Sequence, residues 1–227
     1  MTFKKIDSLK EAFEHLTDKT LLVLDLDNTL IECSTAFGSY QWSAYLIRKE
    51  MASQGKSLQE VLDKVVPYWE EMQYQVEMQL IEKESAKWIA SLKEEGQTII
   101  ALTGRSNYLV ERTLYELKRN NLSLSPPNFK SLNPFETFSQ VGYQDGVLFV
   151  GPKNDKGTLL THFLKSADQT FEKIVFVDDQ ERYLEQCSVA VQNLSLDFEG
   201  MHFVALNEKV RAFNYTKALE EQKLILN

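Results

Sequence analysis

Leu21-Leu22-Val23-Leu24-Asp25-Leu26-Asp27-Asn28-Thr29-Leu30 is the stretch that decides the fold. Five of its first six residues are apolar, and two carboxylates then arrive abruptly. A continuous apolar run of this length reads as a strand buried on both faces, the habit of a parallel sheet. In open α/β sheets ligands sit beyond the carboxyl ends of the strands, so Asp25 and Asp27 stand where chemistry collects. Two residues apart on an extended chain, they point the same way. Like charges that close favour each other's protonation. A bound cation relieves that repulsion, as does a site that needs one ionised and one protonated carboxyl.

Two more apolar runs follow the same plan. Residues 98–102 predict a second buried strand, ending at Thr103-Gly104-Arg105-Ser106-Asn107, and residues 173–177 a third, ending in Asp178-Asp179. If the three are parallel neighbours, their polar ends meet at one edge of the sheet. Helical periodicity covers residues 7–16, 81–95 (closed by Gly96), 108–119 (closed by Asn120-Asn121), 158–166, 180–187 and 207–224. Pro126-Pro127 and Leu132-Asn133-Pro134 break the chain between. Residues 138–141 and 146–150 flank Tyr143-Gln144-Asp145-Gly146, a hairpin signal. Residues 189–194 and 201–206 predict the last strands. Strand–helix alternation with a polar loop after each strand implies a doubly wound, Rossmann-like α/β core of three layers around a parallel sheet.

From Ile31 to about Leu80 no strand-like run appears. Residues 41–54 and 57–79 are helical in period, broken at Gly55 and bent or restarted near Pro67. The stretch is too long for a loop in a compact domain and is rich in aromatic residues, so it reads as an inserted helical subdomain. The expected division is a core of residues 1–34 and 81–227 and an all-helical cap of residues 35–80.

The chain has 227 residues, a net charge of −8 and two cysteines. With a pI near 5.1 it has no basic footprint for nucleic acid. Cys33 and Cys187 make no disulfide framework and suit a reducing cytosol. No signal-peptide core follows the first residues, and no apolar run approaches the ~20 residues that span a bilayer, so a cytoplasmic protein without a membrane role is expected. His15, His162 and His202 show no ligand spacing.

Asp25-Leu26-Asp27-Asn28-Thr29 matches a D-x-D-x-T signature, and Thr103-Gly104, Lys156-Gly157 (with Leu159, Leu160 and Phe163 after it) and Asp178-Asp179 follow in order. In combination these resemble the four motifs of haloacid dehalogenase-like (HAD) phosphatases, from about Asp7 to Asp179. The chain looks closest to uncharacterised bacterial members, with a fuller helical insertion than acid-phosphatase-like ones. The resemblance implies Asp25 as nucleophile, since a carboxylate can take a phosphoryl group and split one displacement into two. It implies Asp27 as general acid and base, with its backbone carbonyl on the metal. Asn28, Thr103, Gly104 and Lys156 are the implied substrate contacts; Thr103 and Lys156 also assist catalysis, and Lys153 is a rival three residues before Lys156. Asp178 would bind the metal directly and Asp179 through water. All-oxygen ligands suit Mg²⁺. Arg105 reads equally well as a phosphate contact and as a solvated loop residue. The implied activity is hydrolysis of a small phosphorylated metabolite under the cap. Phosphotransfer to another acceptor, as in a mutase, and a binding protein without turnover are the alternatives.

Overall fold

The computed structural model describes residues 3–52, 55–128 and 135–227. Its centre is strand β2 (Thr20–Leu24), every residue of which is buried. β5 (Thr98–Thr103) and β8 (Lys173–Asp178) flank β2 in parallel, pairing Leu21 with Thr98 on one side and Ile174 on the other. The sheet continues outward through β9 (Asp197–Phe203) to β1 (Lys4–Ile6). On the other side it runs through β7 (Val147–Phe149) to β6 (Gly142–Gln144). Of these seven strands only β6 is antiparallel.

The apolar runs are unbroken because both sheet faces are covered. Leu22, Leu24, Ile99, Ala101, Val175 and Val177 face one core, shared with α1 (Lys10–Phe13), α4 (Ser85–Glu94) and α5 (Val110–Arg119). Leu21, Val23, Ile100, Leu102, Ile174 and Phe176 face the other, under α6 (Lys156–Ser166) and α7 (Glu181–Val191). Period-two alternation thus splits each strand between two layers of helices, giving the Rossmann-like three-layer α/β arrangement.

The insertion after β2 is built from α2 (Tyr40–Ala52) and α3 (Leu58–Met72). Helix α3 runs through Pro67 without restarting. A Ser57–Glu60 capping box starts it, and Val61, Val65, Trp69 and Met72 bury one stripe, which outweighs the hydrogen bond that Pro67 cannot make. The insertion is not free of strands. β3 (Ile31–Cys33) and β4 (Met78–Leu80) form an antiparallel pair at its base, correcting the expectation of a purely helical segment. Three residues apiece carry too little alternation to stand out in sequence. The return chain is held by α5. Arg112 donates to the Gln73 and Val76 carbonyls, and Arg119 and Asn120 donate to the Met78 carbonyl.

Other boundaries also shift. Residues 189–191 end α7 and 192–194 form a 3-10 turn, not a strand; Leu184, Cys187 and Val191 lie on its buried face while Val189 is exposed. The C-terminal helix divides into α8 (Asn207–Arg211) and α9 (Tyr215–Leu226), the second capped by the Asn214 side chain. α9 packs on the insertion: Tyr215 stacks on Tyr45 at 4.2 Å, Glu221 accepts from the Phe37 N–H, and Gln222 donates to the Tyr68 hydroxyl. The hairpin stands where expected, with Asp145 and Gly146 both at positive φ (49° and 85°), but β6 starts later than the apolar residues 138–141. The Leu132-Asn133-Pro134 break and the end of the 41–54 helix lie outside the described residues.

Candidate functional site

Three parallel strands deliver their carboxyl ends to one place. Asp25 follows β2, and its N–H donates to the Val177 carbonyl on β8, which registers it beside Asp178. Asp179 comes next. One oxygen from each of Asp25, Asp178 and Asp179 lies within 4.8 Å of the others. Lys156, the first residue of α6, reaches into this cluster and donates to Asp25 Oδ1 at 2.7 Å and Asp178 Oδ2 at 2.8 Å. It is 1% exposed. The Asp155 side chain caps α6, and Gly157 lets α6 press against α7, since a Cβ there would lie 2.3 Å from the Gln186 carbonyl oxygen. Lys153, the sequence rival, pairs instead with Asp63 of α3 at 2.7 Å.

The cluster is electrostatically overloaded. Burial pushes the Asp25 carboxyl up; Lys156 opposes this and Asp178 adds to it. Burial likewise raises Asp178 against the pull of Lys156, and raises Asp179, helped by Asp25. Lys156 is pulled down by burial, but Asp178 and Asp25 more than reverse this and hold it above the ordinary lysine value. Three carboxylates and one ammonium leave two negative charges unbalanced, an all-oxygen set that fits a hard divalent cation. Supporting bonds fix the rest. Gln180 donates its N–H to Asp178 and its side-chain amide to Asp179, both at 2.8 Å, and Thr29 donates to Asp25. Asn28 sits at φ 65°, where an Asn is tolerated, and its amide faces Asp179 at 3.4 Å. Gln41 of α2 donates to the Asn28 side-chain oxygen Oδ1 at 3.0 Å.

Asp27 does not share its neighbour's surroundings. Its two oxygens accept from Arg105 Nε and Nη2, both at 2.8 Å, and its carboxylate stands outside the three-carboxylate cluster. Asp25 and Asp27 thus enter two separate pairings, one with Lys156 and the other with Arg105. Arg105 is buried, donates also to Thr113, and lies over the Trp69 ring of α3 at 5.9 Å. Any proton transfer by Asp27 requires that fork to loosen. The pairing engages only the carboxylate, not the backbone carbonyl expected on the metal.

Thr103 ends β5, buried, its hydroxyl accepting from the Arg105 N–H at 3.2 Å. Gly104 is exposed, and a side chain there would meet only the Tyr183 hydroxyl, at 4.0 Å. Sequence reasoning left Arg105 undecided, passed over Gln180 and Tyr183, and saw no ligand spacing at His202, whose ring contacts the Asp179 carbonyl and Glu181 at 3.0 Å each. Position after a motif was the one available signal, and only for Arg105 and Gln180. Between α3 and the core a cleft of about 470 Å³ is lined by Leu62, Val66, Tyr74, Tyr108 and the Asp63–Lys153 pair. Glu70, in its wall, accepts from the buried Ser106 hydroxyl.

Fold and site together define a Rossmann-like α/β protein with a lysine-bridged acidic cluster at the carboxyl edge of its sheet. The chain belongs to the family described as "Protein of unknown function (DUF2608)", whose pattern it matches over residues 2–224. It is similar to a protein of Chlamydia pneumoniae carrying the name "Putative outer membrane protein", at 28% identity over 81% of this chain and 69% of the relative. A Chlamydia muridarum protein of the same name is 26% identical over 90% of this chain and 77% of its own length. An uncharacterised protein of Rickettsia prowazekii is 23% identical, covering 86% of this chain and 73% of the relative. No solved structure matches. Among the described residues no helix is long and apolar enough to cross a membrane.

Proposed function

We propose that this protein is a Mg²⁺-dependent phosphoric monoester hydrolase of the HAD type, acting on a small phosphorylated metabolite. The observation that carries the reading is the meeting of Asp25, Asp178 and Asp179 within 4.8 Å, bridged by the buried Lys156 ammonium. Residues more than 130 positions apart supply it, as the Lys156–Asp25 separation of 131 shows. Asp25, Asp178 and Asp179 would hold the cation, which would offset charge on the phosphoryl oxygens.

Asp25 attacks phosphorus, the phosphorus–oxygen bond to the leaving group breaks, and the phosphoryl group passes to the Asp25 carboxylate. Asp27, once released from Arg105 and protonated from solvent, gives the leaving oxygen that proton. It then takes a proton from the water that attacks the aspartyl-phosphate, which frees orthophosphate and restores Asp25. Lys156 stays within hydrogen-bond reach of Asp25 and balances the charge that the phosphoryl group brings. Thr103 and the Gly104 N–H would bind the phosphate oxygens. We further propose a cytoplasmic location, supported by two buried free cysteines; the name of the chlamydial relatives points elsewhere, and cell fractionation decides.

The test is turnover of phosphate esters with Mg²⁺. Asp25→Asn and Asp27→Asn should each abolish it in folded protein, EDTA should silence it, and added Mg²⁺ should restore it. Near-normal rates in Asp25→Asn, or indifference to chelation, would overturn the reading. Phosphate appearing on an added alcohol would instead mark transfer to an acceptor other than water.

A further inference from the structure

The rim of the acidic cluster differs in chemistry from its floor. Tyr183, in the first turn of α7, lays its ring over the Lys156 ammonium, 4.4 Å from Nζ, and its hydroxyl stands over Gly104. Tyr40 opens α2, and its neighbour Gln41 is bonded to Asn28, which faces Asp179. Between the two tyrosine hydroxyls lies Arg182. Its Nη2 is 3.3 Å from the Tyr40 oxygen and 3.0 Å from the Tyr183 oxygen, and its guanidinium carbon is 4.6 Å from the Tyr183 ring centre.

This cation differs from the other two at the site. Lys156 is balanced by two carboxylates and Arg105 by Asp27. Arg182 is hydrogen-bonded only to neutral phenols: Asp178 acts on it from beyond contact, among the described residues no carboxylate lies within ion-pairing distance of it, and Nε and Nη1 make no hydrogen bond. Stacking on Tyr183 holds the planar group in place, which lowers the cost of ordering it when an anion arrives. A guanidinium with unused donors, held by aromatic rings where a cap helix meets the core, suits an oxyanion.

We propose that Arg182, framed by Tyr40 and Tyr183, is a subsite for a second oxyanion on the substrate. The favoured phosphate ester then carries a carboxylate or a further phosphate on its leaving group. The inference rests on the hydrolase reading and narrows its substrate class. A charge-assisted pair at this half-exposed rim should change affinity roughly tenfold or more.

Phosphonates test it, because their phosphorus–carbon bond survives Asp25 and binding is read without turnover. Calorimetry on the full chain with excess Mg²⁺ would compare propylphosphonate, 3-phosphonopropionate and ethylene-bisphosphonate. These share a chain length and differ in the far group. One or both of the doubly anionic ligands should bind roughly tenfold more tightly than propylphosphonate, and the stronger identifies carboxylate or phosphate as the second group. Arg182→Gln, at an exposed position and checked by its melting curve, should close that gap. Equal affinity for all three ligands overturns the subsite and leaves the hydrolase reading standing, as does a gap that survives in Arg182→Gln. So does an equal loss for all three in Arg182→Gln, which would put the guanidinium on the shared phosphonate. Absence of binding by every phosphonate overturns both.

Discussion

Lys156 and Arg105 are both buried cations held by aspartates, and they divide the site's charge unequally. Removing Lys156 leaves Asp25, Asp178 and Asp179 facing one another with no cation of the chain's own. Lys156→Met should therefore lower kcat by ~100-fold or more, the scale of losing a preorganised charge at a phosphoryl group. It should also cost more thermal stability in EDTA than in Mg²⁺, measured as the difference in Tm. Arg105→Ala strands the Asp27 carboxylate and empties the space against Thr113 and Trp69. Breaking a mostly buried pair of this kind costs on the order of 3 kcal/mol, read by denaturant unfolding. Arg105→Lys, which keeps the charge but not the fork, should cost less. Lys156 was legible because it opens a helix before the third strand and because Gly157, Leu159, Leu160 and Phe163 follow it in the order that the resemblance implies. Arg105 was not: an arginine after Thr-Gly looks the same in sequence whether it is solvated or locked to Asp27, 78 residues away.

At the scale of elements, the three central strands announced themselves because burial on both faces makes an unbroken apolar run. The strands that escaped notice lack that property. β1 is an edge strand with two exposed residues of three, and β3 and β4 are too short to show a period. Residues 189–194 misled in the opposite sense, since two valines two apart read as a strand when one of them is exposed on a helix. The approach of α6 to α7 yields a sharp expectation. Gly157→Ala would drive a methyl group into the Gln186 carbonyl, so the helices must part and Lys156 must shift with them. We expect a loss of roughly 1–3 kcal/mol and a fall in kcat out of proportion to any change in KM, from melting curves and steady-state rates.

For the whole molecule, the acidic cluster ties stability to pH and to metal. Without metal, burial holds the Asp25 and Asp179 carboxyls at about 7 and Asp178 at about 6, against 3.8 for a free aspartate. Between those limits the folded state binds more protons than the unfolded one, so stability falls as pH rises. The Tm in EDTA should drop between about pH 4 and pH 7, and Mg²⁺ should raise it most at the alkaline end, where protons no longer compete for the same oxygens. A Tm in EDTA that climbs over this interval would contradict the charge balance described for the site.

The insertion is gripped twice, by α5 below and by α9 behind, where Tyr215 lies flat on Tyr45. Of the two grips only the rear one is made of stacked rings and side-chain amides and hydroxyls, so loss of the Tyr215 ring should free that edge of the insertion while the backbone carbonyls taken by Arg112 and Arg119 still anchor its base.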